Sequence, residues 1–482
     1  MLIHDQFRKD LIIHSNEVAD RWVEYNYDYL VKMKRYVKHQ LIEKFGSIQG
    51  QQIMIDRPIV LHKQIPLIMA IWELGGGIIV NDLHYTLQQN LAYQDYYSSI
   101  DICLIEWGDA RDAQVKKALA VFENRLHEIK YWDQDELFNS IIDDPIVATE
   151  NNIALIVATS GTNRAPQQVS YTHAQLRLAV DANRDNYHYQ PTEHVFHLKS
   201  FHHGGLCVSY FLPTLEVCQH HYFGVDHQGI DIDIHAINMI TATPVTRFML
   251  PYAVSDKLIK GLPAGRKFTL QTTHNLQSVQ QIDQLFDQDR VERLFVLFGC
   301  RELPAPIFMQ DIDIDSWAYQ RESWRPDVYD LPAVDFWKLK IFDDGLGVLA
   351  DYMTDYYVPG DMFISFPNKQ WKWQGRNSVI KRKGHVINPD VVSVVLDSHF
   401  SNIDKLIVAD YEFKKLYAFV FGHGESDLTD QFNQVIDRDI DTNHRLDLVL
   451  GLDKKDMIGF GRSSLSVLRF LARKKLNLVT AD

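Results

Sequence analysis

The chain has 482 residues, 46% of them apolar and 23% charged, so it is long enough for more than one hydrophobic core and too apolar for bulk disorder. Its 49 Lys and Arg against 63 Asp and Glu give a formal net charge of −14, and an acidic surface repels phosphate backbones, so no nucleic-acid partner is expected. Four cysteines without a CxxC pair argue against a zinc ribbon or a dithiol redox motif and suit a reducing cytoplasm; the start, MLIHDQFRKD, lacks a leader pattern, and no apolar run reaches the roughly 18 residues that span a bilayer.

Tyr29 to Phe45 reads as an amphipathic helix, with basic residues interleaved among Leu30, Val31, Met33, Val37 and Leu41. Gln52 to Asp56 is a short β-prone run. Ile65 to Leu74 is apolar enough for a buried helix, which Gly75, Gly76 and Gly77 terminate before a strand at Ile78, Ile79 and Val80. Ile102 to Ile105 and Ile153 to Ala158 are further buried strands, with a largely polar connection over Asp143 to Asn152. Such alternation predicts an α/β fold with a parallel sheet covered by helices. A second punctuation point lies in WKWQGRNS, near Gln370 to Ser378. Beyond it, IKRKGHVINPDVVSVVL reads as strand, turn and helix, Leu406 to Asp410 and Lys415 to Phe421 as strands, and Ser463 to Leu476 as a basic helix. The expected division is therefore a large multi-sheet N-terminal domain, 1–374, and a small α+β C-terminal domain, 375–482.

The most informative stretch is ALIVATSGTNRAPQQVSYTHAQL. A buried strand ends at Ala158, and Thr159, Ser160, Gly161 and Thr162 follow. Glycine lets a backbone approach closely and hydroxyls add donors, so the loop suits phosphate oxygens. By spacing alone it suits an ordinary polar strand-to-helix turn equally well. A histidine group (His194, His197, His202, His203, with His220 and His221 nearby) raises the question of zinc. Val195 and Phe196 argue for a strand, however, which puts His194 and His197 on opposite faces, and no cysteine or carboxylate block completes a site.

These residues, taken in order, resemble the superfamily of acyl-CoA synthetases, peptide-synthetase adenylation domains and beetle luciferases. Thr159, Ser160, Gly161, Thr162, Pro166 and Val169 match its phosphate loop, TSGTTGxPKxV. Asn163, Arg164 and Gln167 depart from it, and Gln167 stands where the loop lysine would be. Ile68 to Asp82 resembles an early helix–glycine–strand block. LKSFHHGGL resembles PLFHxxGL, with His202 on the position that borders the acyl pocket. TATPVTRFML resembles the segment in which a proline introduces a substrate-pocket helix. LFVLFGCRELPAP resembles the YGxTE block, with Phe298 on the aromatic position near adenine, Glu302 on the carboxylate that holds Mg²⁺, and Arg301 in place of a threonine near the α-phosphate. VPGDMF makes Asp361 the expected ribose ligand. WQGRNSVIKRKGHVINPDVV resembles GRxDDxIKxxGxxIxPxEIE through Gly375, Arg376, Ile380, Lys381, Gly384, Ile387 and Pro389, although it is one residue shorter at the hinge. Arg462, in GFGRSSLSVLRFL, overlays the C-terminal catalytic lysine, and a surface or core helix explains that stretch equally well.

The resemblance implies adenylation. A carboxylate substrate attacks the α-phosphorus of ATP, pyrophosphate leaves, and the acyl group then passes to a thiol (CoA or a carrier protein) or an amine, with the C-terminal domain acting as a mobile lid. In that scheme Thr159, Ser160, Thr162 and Arg164 cradle the phosphates, Glu302 anchors Mg²⁺, Asp361 and Arg376 hold the ribose, and Arg462 arrives from the lid. Loss of both family lysines keeps a second expectation open, a nucleotide-binding relative that senses without turning over.

Overall fold

The structure is a computed structural model. It describes residues 1–18, 21–55, 61–80, 99–106, 120–129, 145–158, 168–197, 207–223, 240–249, 261, 265–273, 279–287, 290–299, 303, 305–325, 328–329, 337–342, 345–350, 353, 355–358, 361–366, 370–376, 380–382, 385–387, 389–410, 413, 415–421, 428–440, 442–452 and 465–476.

Strands β1 (Ile12–Val18) and β2 (Arg21–Asn26) lead into helix α1 (Tyr27–Phe45). The helix begins two residues before the predicted start because Asn26 caps it, its side chain accepting from the Tyr29 N–H. Leu30, Met33, Val37 and Leu41 form its buried stripe, at the three- and four-residue spacing of one helical face. β3 (Gln52–Ile55), α2 (Leu61–Glu73) and β4 (Gly77–Val80) follow. The glycines between α2 and β4 are required. Gly75 has φ +78°, and a Cβ on Gly76 would stand 2.8 Å from Ile71 Cγ2.

β5 (Ile102–Glu106), β6 (Leu126–Ile129), β7 (Ile153–Ala158) and β8 (Gln168–Thr172) complete a six-stranded sheet of order β6-β5-β3-β4-β7-β8, parallel except for the β7–β8 pair. Helix α3 (His173–Asn186) starts at Thr172, in a reciprocal cap with Gln175. β9 (His194–His197), a π-helical turn over Cys207–Phe211, α4 (Leu212–Val217), β10 (His220–Phe223), β11 (Arg247–Met249), β12 (Phe268–Thr273), α5 (Val279–Asp287), β13 (Val291–Phe298) and β14 (Phe308–Asp313) come next. With β1 and β2 these strands build a second sheet, of order β14-β13-β12-β11-β9-β10-β1-β2. Its six inner strands are parallel and its two edges antiparallel. Buried faces of α1, α2 and α3 share one apolar core with residues of both sheets. On the other face of the second sheet, α5 and α6 (Ile314–Gln320) cover a separate core around Phe248 and Leu294.

One expectation differs here. The described residues after Pro244 form a central strand, β11, rather than opening a helix. All three of its residues are buried between β9 and β12, a placement that depends on partners distant in sequence.

Smaller sheets follow: β15 (Val328–Tyr329), β16 (Lys338–Phe342), β17 (Gly345–Leu349), β18 (Asp361–Ser365), β19 (Trp371–Arg376), β20 (Ile380–Arg382) and β21 (His385–Ile387). β19 pairs with β18 as far as Arg376, so the ladder runs through the stretch read as punctuation. The last unit is a three-stranded sheet of β22 (Lys405–Asp410), β23 (Lys415–Phe421) and β24 (Leu448–Leu452). α7 (Pro389–His399) and α8 (Leu428–Asp439) pack on one face of it, and α9 (Leu465–Lys475) packs on the other. It therefore has cores of its own. Among the described residues, no helix is long and apolar enough to cross a membrane.

Candidate active site

Parallel strands deliver their carboxyl ends to one edge, where open α/β sheets bind ligands. β13, β12, β11, β9 and β10 are neighbours running in one direction. The segments singled out in the sequence leave from these ends. Residues 198–206, with His202, follow β9; THNLQS begins at the end of β12; and Gly299 and the following 300–302 segment leave β13. In the other sheet, residues 159–167 stand between β7 and β8.

Of the predicted site residues, Phe298, Asp361 and Arg376 lie among those described. Thr159, Ser160, Gly161, Thr162, Arg164, His202, Arg301, Glu302 and Arg462 lie outside them. Phe298 is the last residue of β13 and 6% exposed. Its ring packs edge-on to Phe363 at 5.3 Å and lies 5.6 Å from Tyr329 and 6.3 Å from Phe308. The same apolar cluster takes in Ala182 of α3. It thereby ties the end of β13 to β18 and to the helix that follows the β7–β8 connection. Asp361 opens β18 two residues before Phe363, is 1% exposed, and stands opposite Arg376 in the ladder. Gly299 turns so close to Pro306 that an added Cβ would lie 3.1 Å from its Cα. The aromatic end of β13 thus packs on β18, the strand that begins with a buried carboxylate opposite an arginine position. Among the described residues, no group of three or more His, Cys, Asp or Glu stands in a metal-holding arrangement.

Sequence reasoning missed two buried polar systems in the same sheet. Arg247 of β11 bonds Glu193 at 2.8 Å and the Tyr187 carbonyl at 3.1 Å, with its guanidinium 4.6 Å from the Tyr189 ring. His197 and His221 stack across β9 and β10, with His197 Nε2 2.9 Å from His221 Nδ1. His221 Nε2 lies 3.0 Å from the Cys218 carbonyl. Burial lowers both imidazoles, His197 well below its usual range and His221 to about 3, so both are neutral. Two adjacent histidines, HH at 220–221, are visible as letters. Which of them faces His197 depends on cross-strand register.

No family model matches the sequence. A plipastatin synthase polypeptide from Bacillus subtilis (strain 168) is 24% identical over 174 residues, which are 35% of this chain and 5% of that protein. Solved structures match over nearly the whole chain. McyG A-PCP complexed with phenylalanyl-adenylate superposes with a TM-score of 0.71 at 12% identity, covering 99% of this chain and 94% of that one. The o-succinylbenzoate CoA synthetase MenE from Bacillus subtilis, in complex with the acyl-adenylate intermediate OSB-AMP, gives 0.63 at 13% identity and covers 93% of each chain. The same enzyme is also solved with ATP and magnesium ion, at a TM-score of 0.62 and 15% identity, covering 92% of this chain and 93% of that one. At these identities the likeness establishes the fold.

Proposed function

We propose that this chain, which has the fold of the adenylate-forming enzymes, uses ATP to activate a carboxylic acid as an acyl adenylate with release of pyrophosphate. The acyl group then passes to a thiol, of CoA or a carrier protein, or to an amine. The observation that carries this reading is the buried Asp361, opposite Arg376 and tied through Phe363 to the end of β13, from which the Glu302 segment leaves.

Asp361 accepts both ribose hydroxyls, as a carboxylate can, and Arg376 supports the sugar. Thr159, Ser160, Gly161, Thr162 and Arg164 wrap the phosphates. Arg301 adds charge at the α-phosphate. Glu302 is an oxygen donor of the kind a hard cation takes, and Mg²⁺ bound there would neutralise phosphate charge. Phe298 forms the packed floor beneath the adenine, and His202 borders the acyl group. The substrate carboxylate oxygen bonds to the α-phosphorus as the bond to pyrophosphate breaks, so side chains act by position and charge. Residues 1–374 hold the acid and, with Arg376 just beyond them, the nucleotide. Residues 375–482 form the lid that brings Arg462 to the phosphates. The low cysteine count suits work in the cytoplasm. Gln167 in place of the loop lysine supports a second reading, a nucleotide-binding relative without turnover.

Carboxylate-dependent ATP–pyrophosphate exchange, screened over a panel of acids, separates the two readings. Glu302→Gln and Asp361→Ala should each lower exchange about a hundredfold, the loss typical of one charge-stabilising group, with unchanged circular dichroism. Full exchange in both variants rejects these roles. Arg462→Ala should lower adenylation, and unimpaired acyl-adenylate formation rejects its assignment.

A further inference from the structure

Ser15 of β1, Phe223 of β10 and His197 of β9 form one cross-strand row, so their side chains share a face of the second sheet. His197 and Phe223 are the last residues of their strands, which puts the row at the carboxyl edge. His197 is 2% and Ser15 1% exposed, yet among the described residues His197 Nδ1 and Ser15 Oγ have no hydrogen-bond partner. Two strand spacings of about 4.8 Å separate them.

The bonding of the histidine pair fixes the character of the free nitrogen. A carbonyl only accepts, so His221 Nε2 carries its proton and donates to Cys218. His221 is neutral, so its Nδ1 is the acceptor, and His197 Nε2 donates to it. That leaves His197 Nδ1 as a bare acceptor. Among the described residues, three aromatic rings surround the imidazole. Phe223 stacks on the imidazole at 4.5 Å, Phe211 meets it edge-on at 5.5 Å, and the Tyr210 ring lies at 5.2 Å. Apolar walls with a few unmatched polar atoms are the makeup of a ligand subsite, and such a group rejects a ligand that cannot satisfy it.

We propose that His197 is a specificity-determining residue that selects a carboxylic acid bearing a hydroxyl or N–H donor, its Nδ1 taking the donor. This rests on the adenylation reading, because it assigns the row to the acyl end of that site. The segment holding His202 leaves directly from His197.

The test compares matched acids on the full chain: salicylate with benzoate, 3-hydroxybutyrate with butyrate, and phenylalanine with 3-phenylpropanoate. In pyrophosphate release, the donor-bearing member of at least one pair should be favoured by about tenfold or more, roughly the factor of one net hydrogen bond. His197→Phe should lower that ratio severalfold. A fold defect would slow both members of a pair alike and leave the ratio standing. Equal use of both members by the parent chain, or a ratio unmoved by His197→Phe, overturns the proposal. If no acid drives release, the adenylation reading fails. The subsite is then judged by ¹⁵N-histidine spectra of the full chain, with His197→Phe supplying the assignment. In these spectra, salicylate but not benzoate should shift the His197 Nδ1 resonance. A resonance unmoved by every donor-bearing acid overturns the subsite.

Discussion

Glu73 ends α2 in the interior, 2% exposed, and three cationic or protonatable groups converge on it. Lys38 Nζ lies 2.8 Å from one carboxylate oxygen, and Lys34 Nζ at 2.5 Å and His4 Nε2 at 3.3 Å lie near the other. Burial alone would raise the carboxyl. The hydrogen bonds from His4, Lys34 and Lys38 outweigh it and bring the group down from 4.5 to about 2. A carboxyl held that far down contributes about 3 kcal/mol of stability. Because the folded value is the lower one, that contribution is fully present above about pH 4.5 and is lost as pH falls through about 2. Glu73→Gln keeps the shape, removes the charge and leaves two lysines buried against a neutral amide. Urea denaturation at pH 7 should show a loss of about 3 kcal/mol. By pH 3 the gap between the two proteins should shrink to about half. A gap under 1 kcal/mol at pH 7, or one of equal size at both pH values, would refute this account of how α1, α2 and the N-terminal turn are held together.

The buried histidines carry the opposite chemistry. Burial, helped by neighbouring positive charge, lowers His14 to about 4 and His173 to about 3, and burial lowers His221 to about 3. The unfolded chain takes up these protons near pH 6.5, so stability is fully present above that value and falls as pH drops toward 4. Each imidazole contributes about 1.4 kcal/mol per pH unit over that window. His173→Asn, whose carbonyl can replace Nδ1 as acceptor for the Ile3 N–H, should flatten the profile by that amount; an unchanged slope tells against the assignment. In the C-terminal unit, the fully buried Asp410 takes two bonds from Arg473, at 2.6 and 2.7 Å, and one from the Tyr417 hydroxyl. Asp410→Asn should loosen α9, with its amide hydrogens exchanging about a hundredfold faster for a loss of about 3 kcal/mol. Unaltered protection of Leu465–Lys475 would mean that apolar packing alone holds the helix.

Local chemistry makes much of this protein legible in its amino-acid sequence. The α1 stripe, the Gly75–Gly77 stop, the buried run Ile153–Ala158 and the strands β22 and β23 follow from periodicity and backbone limits that act within a dozen residues. Motif order along the chain carries the family resemblance, and the whole-chain superpositions agree with the fold it implies. Tertiary structure decided what depends on partners far apart in sequence. Nothing near Pro244 says that Arg247–Met249 is a strand, because β9 and β12 bury it from both sides. Phe298 reads as a ligand-facing aromatic, and only the packing of β18 and β15 puts Phe363 and Tyr329 around it. The pairing of His197 with His221, and the row it shares with Ser15, exist because parallel strands from three distant segments align in one register. A sequence specifies spacing along the chain, whereas register, burial and the partner of a buried charge are set by which segments the folded core brings together.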